Sequence, residues 1–113
     1  MNTMKYITAR TWHNKRRRGE NPPITNVRAK CWAVTIPLKD GNMMETLQYL
    51  LLKLAEDPTF RGHYKAKDGK LQAAISWNKA KTGRWIMNQL DGTDAHIEPA
   101  IDAQILTRWV LKS

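Results

Sequence analysis

The sequence predicts an α+β domain in which helices cover one face of an antiparallel sheet and leave the other face open. Three observations point there: the β-branched and aromatic run Lys30 to Pro37, an Asp-Gly turn between two alternating segments, and two apolar patterns of helical period on either side of that hairpin. A length of 113 residues gives room for one core.

Residues 30–37, KCWAVTIP, form the first expected strand, with Cys31, Ala33 and Thr35 on one face and Trp32, Val34 and Ile36 on the other. Asn42 followed by Glu45 has capping-pair spacing, and Met43, Met44, Leu47, Leu51 and Leu54 recur at helical intervals, which predicts a helix over about 43–56. Phe60 to Ala66 and Lys70 to Trp77 flank Lys67-Asp68-Gly69, a hairpin signal because glycine tolerates positive φ. Asn78 is expected to cap a second helix over about 79–90, whose apolar face holds Ile86, Met87 and Leu90 despite Gly83. Ala95 to Glu98 makes a short strand, and Pro99 opens a last helix carrying Ile101, Ile105, Leu106, Trp109 and Val110. The order β-α-β-β-α-β plus a C-terminal helix is that of a ferredoxin-like or RRM-like split β-α-β sandwich.

Charge sets the expected partner. Nineteen Lys and Arg against ten Asp and Glu leave +9, and residues 1–30 alone carry eight cations against Glu20. Asn14 to Asn26 combines four consecutive cations with Gly, Asn and two prolines, so residues 1–28 read as a basic arm or linker, onto which Tyr6, Ile7 and Trp12 allow some docking, and residues 29–113 as the domain. Cys31, the single cysteine, reads as a reduced core thiol. Met1 to Thr11 lacks an apolar signal-peptide core, and the apolar stretch Leu47 to Ala55 is interrupted by Gln48 and Lys53. These features predict an intracellular chain with no membrane partner.

Alternation places Lys70, Gln72, Ala74 and Ser76 on the open face. His63 and Lys65, or alternatively Tyr64, share it from the neighbouring strand, and His96 and Glu98 from the short one. This surface and Lys15, Arg16, Arg17 and Arg18 are the candidate nucleic-acid contacts. Five tryptophans offer stacking, although spacing assigns most to the core. No HExxH, metal-spaced pair, glycine-rich phosphate loop or serine elbow is present, so no catalytic residue, metal ligand or cofactor is assigned.

Four stretches, with the element order, resemble the nicking domain of HUH-type Rep initiators of circular single-stranded DNA viruses such as circoviruses and nanoviruses. Residues 30–37 resemble its aromatic strand ending in Phe-Thr-Leu-Asn-Asn, with Thr35 kept; Lys70 to Ala74 falls where the family has His-hydrophobic-Gln-Gly. Ala95-His96-Ile97-Glu98 resembles its His-Ile-Glu strand, and Arg108 to Lys112 its Tyr-Cys-x-Lys helix. The resemblance implies single-stranded nucleic acid as ligand, with Gln72 and Lys112 retained. It also locates the departures: Trp109 stands at the nucleophilic tyrosine and Lys70 at a metal-binding histidine, and neither side chain can replace the original chemistry.

The function expected is therefore non-catalytic binding of DNA or RNA, single strands favoured and double strands not excluded, by a protein of viral or mobile-element origin in the host cytoplasm or nucleus that sequesters nucleic acid from host defence. The alternatives are a small HUH-type endonuclease using Tyr64 or another residue with Mg or Mn, and a protein that inhibits a host nucleic-acid-handling complex by binding it.

Overall fold

The computed structural model describes residues 5–37, 43–91 and 93–101. The chain is an α+β protein with a mixed five-stranded sheet and three α-helices among those residues: β1 (Ile7–Thr8), α1 (Ala9–Arg17), a single 3-10 turn (Ile24–Asn26), β2 (Val27–Pro37), α2 (Met43–Leu54), β3 (Arg61–Lys67), β4 (Lys70–Thr82), α3 (Gly83–Gln89) and β5 (His96–Ala100). β2 lies at the centre, antiparallel to β4 and to β5, while β3 closes the far edge against β4. The sheet expected to be wholly antiparallel is mixed because β1 pairs parallel with the start of β2, Ile7 opposite Val27 and Thr8 opposite Arg28.

Burial follows alternation. Val27, Ala29, Trp32, Val34 and Ile36 of β2, Leu71, Ala73, Ile75 and Trp77 of β4 and Ile97 of β5 join Leu50 and Leu54 of α2, Ile86 of α3 and Leu90 just after it in one core. The inward positions of β2 change phase between Ala29 and Trp32 because the register slips there: Ala29 faces Lys81 whereas Cys31 faces Ser76, so β4 sets residues 77–80 against Lys30. At the hairpin, Asp68 and Gly69 take φ of 53° and 72°, as a two-residue turn with both central residues left-handed requires.

Three expectations are corrected. The segment assigned to an arm is folded: Thr8 caps α1 by accepting from the Thr11 amide, and Ala9 and Trp12, one turn apart, enter the core. The second helix starts at Gly83, capped by the Thr82 hydroxyl accepting from the Trp85 amide, and not at Asn78, because β4 runs on to Thr82. Pro99 is a strand residue opposite Trp32 and not a helix start. Its missing N–H is tolerated because, among the described residues, β5 pairs with β2 alone and so lies at an edge. Beyond Ile101 the expected C-terminal helix, with Arg108, Trp109 and Lys112, lies outside the described residues.

Candidate functional site

The registers of β3, β4, β2 and β5 place the outward residues in rows that cross the sheet. Lys65, Gln72, Thr35 and His96 form one row, His63, Ala74, Ala33 and Glu98 the next, and Arg61, Ser76, Cys31 and Ala100 a third. With neighbouring strands about 4.8 Å apart, each row spans roughly 14 Å. His63, Lys65, Lys70, Gln72 and His96 thus share the face away from the core. Tyr64 is on the other side of β3, packed against the core beside Ala73, and burial raises the pKa of its phenol.

The middle of this face is a floor of small side chains. Cys31, Ala33, Ala74 and Ala100 are buried, while Arg61, His63, Lys70 and His96 are exposed and Thr35, Lys65, Gln72, Ser76 and Glu98 are partly so. Glu98 is the carboxylate in the rows, and the His96 imidazole stands 3.9 Å from it. Excess positive charge therefore sits toward the β3–β4 side, on Arg61, Lys65 and Lys70. Among the described residues, tryptophan does not line the floor: Trp12, Trp32 and Trp77 are buried, and Trp85 packs edge-on to Trp77 at 5.4 Å. Any ligand here meets polar side chains and two imidazoles.

The four consecutive cations lie at the end of α1. Lys15, Arg16 and Arg17 occupy its last turn, where they oppose the negative end of the helix dipole. Arg16 donates to Asn21 at 3.2 Å and sits 5.2 Å from the Trp12 ring centroid, Arg17 donates to Asn14, and Arg18 pairs with Glu20 at 3.2 Å. Local order thus holds three of the four in place. Among the described residues one carboxylate, Glu20, opposes them, which keeps this end of the helix cationic. Lys112 lies outside the described residues.

Sequence reasoning missed the other end of α1. Arg10, Arg28 and Lys30 border an open groove beside β2, and the i, i+2 spacing of Arg28 and Lys30 next to a buried Ala29 was the signal that could have found it. Among the described residues, no three His, Cys, Asp or Glu side chains gather as a metal site, and no helix is long and apolar enough to cross a membrane. The chain matches no family model, no curated protein and no solved structure.

Proposed function

We propose that the protein binds nucleic acid without cutting it, gripping single-stranded DNA or RNA by electrostatic contacts along the outward sheet face and the cationic end of α1. The observation that carries this reading is the gathering of Arg61, Lys65 and Lys70 beside Gln72 and His96 on the face away from the core, in a chain of net charge +9. Lysine and arginine there contact phosphates, while Gln72, His63 and His96 supply hydrogen bonds to bases or sugars.

The finer fold reading belongs to the same proposal. The order β3-β4-β2-β5, antiparallel throughout, favours the ferredoxin-like split β-α-β arrangement, with β1 and α1 as an N-terminal addition. The Rep-like resemblance places Lys70, Gln72 and His96 on the binding face in the same way, with Lys70 supplying positive charge where that family holds a metal. A viral or mobile-element protein of this kind, acting inside the host cell, would sequester nucleic acid from a defence that reads it. Tyr64, the tyrosine named for the nicking alternative, is turned toward the core and away from this face.

The test is a titration of labelled single- and double-stranded DNA and RNA at two salt concentrations, with and without Mn, read on native and denaturing gels. Retention that weakens steeply with salt, with intact substrate, is expected. Cleavage, a covalent adduct, or no binding at about 50 mM salt would overturn the proposal, the last result favouring a protein partner.

A further inference from the structure

β4 occupies one edge of β2 from Arg28 onward, so β1 and β5 share the other edge. They do not meet. β1 runs parallel to β2 and ends at Thr8 beside Arg28, and β5 runs antiparallel and ends at Ala100 beside Cys31. Between the two strand ends, at Ala29 and Lys30, this edge of β2 has no strand against it among the described residues. A groove of about 500 Å³ opens there, bordered by Thr8, Arg10, Arg28, Lys30, Ala80 and Ala100.

Its charged lining is three cations and, among the described residues, no carboxylate. Arg10, Arg28 and Lys30 are all exposed at the rim, and the Arg28 guanidinium is steadied over the Tyr6 ring at 5.0 Å. The first turn of α1, which borders the groove, contains no acidic residue. Three like charges about one concavity repel unless an anion joins them, and two guanidinium forks with an ammonium suit a tetrahedral oxyanion.

The geometry points to this groove as a phosphate-binding site, formed by Arg10, Arg28 and Lys30 in the gap between β1 and β5. For the source of the phosphate it rests on the reading above: a nucleic-acid backbone phosphate is the ligand, held at the opposite end of β2 from Lys70. Free phosphate shares that chemistry, and the experiment separates the two.

Amide spectra of the full chain are recorded during titration with sodium phosphate at constant ionic strength, and oligonucleotide affinity is measured against salt for Arg10→Gln/Lys30→Gln and for a charge-matched control on the helices, Lys53→Gln/Arg84→Gln. Thermal melts confirm that both variants fold. Phosphate is expected to shift the amides of residues 8–10 and 28–30. The groove variant is expected to lose about one unit of the logarithmic salt slope, for the one backbone phosphate the groove no longer neutralises, and about tenfold or more in affinity, with the control within about threefold of wild type. Unmoved amides together with a groove variant equal to the control would overturn the inference, and the binding reading would survive if Lys65→Gln/Lys70→Gln still weakened affinity. Shifted amides with no oligonucleotide binding by wild type would establish the groove as a site for free phosphate and remove the nucleic-acid reading.

Discussion

Gly83 lies so close to Ile24 that a methyl group does not fit between them: a Cβ built on Gly83 falls 2.7 Å from the Ile24 carbonyl carbon and closer still to its oxygen. Glycine at the start of α3 therefore lets the 3-10 turn before β2 press against the helix. Gly83→Ala should destabilise the protein by roughly 1–3 kcal/mol, since forced overpacking outweighs the helix-propensity gain of about 1 kcal/mol. Urea denaturation measures this, and an unchanged or higher midpoint would show that the turn yields freely.

The basic helix is docked, and Trp12 is the anchor. Its ring is buried, its indole N–H donates to the Pro22 carbonyl at 3.0 Å, and the neighbouring His13 donates from Nε2 to the Pro99 carbonyl at 2.7 Å. Trp12→Ala should cost about 3–5 kcal/mol, the range for emptying a large aromatic site. Deletion of residues 1–28 should do more harm than removal of a tail, because β1, α1 and the first pairs of β2 go with it. Stability of Trp12→Ala within about 0.5 kcal/mol of wild type would mean that the helix is not docked in solution.

Two buried tryptophans offer a controlled comparison. The Trp32 indole donates to the Ala29 carbonyl at 3.0 Å, whereas Trp77 Nε1 is buried with no hydrogen-bond partner among the described residues. Trp32→Phe and Trp77→Phe remove similar apolar area, but the first also takes away a donor from a buried carbonyl and the second removes an orphaned N–H. Trp32→Phe should be the costlier by at least about 1 kcal/mol. Equal denaturation midpoints would refute the difference in hydrogen bonding.

Where the sequence was legible, a local signal and the global fold agreed. Asp68-Gly69 marked the hairpin, the alternation of β4 separated Gln72 and Ser76 from Leu71, Ala73 and Ile75, and the apolar stripe from Met43 to Leu54 marked α2 at nearly its observed length. The misses occurred where tertiary contacts overrode local preference. Only Ala9, Trp12 and His13 face inward on α1, and the four cations and two prolines nearby hid that short stripe. At the other end of the chain, Pro99 reads locally as a helix start, and only its place on an edge strand lets it extend β5. Period two alone separated the two faces of β4, but on β3 it left His63 and Lys65 open against Tyr64, and the pairing with β4 decides between them. The groove at Arg10, Arg28 and Lys30 was not, because it depends on where two strands stop along the edge of a third.

Acid should loosen the contact that joins the end of β4 to the loop after α2. Asp57 accepts from the Thr59 hydroxyl at 2.7 Å and the Thr59 amide at 2.9 Å, and the Lys81 ammonium pairs with its other oxygen at 2.5 Å. The hydrogen bond from Lys81 first, then those from Thr59, hold the carboxyl down at about 2, against 3.8 for a free aspartate. A folded pKa below the unfolded one means that the charged form favours folding, so the contribution is complete above about pH 4 and is lost as pH falls through the folded value. Stability measured in urea should therefore drop between about pH 4 and pH 2 in wild type, and this part of the drop should be missing in Asp57→Asn, which is already destabilised at pH 7. Lys81→Met should reduce the same acid dependence, because it removes the first cause of the shift and leaves Thr59 in place. Identical acid profiles for wild type and Asp57→Asn would show that the pair with Lys81 does not form in solution.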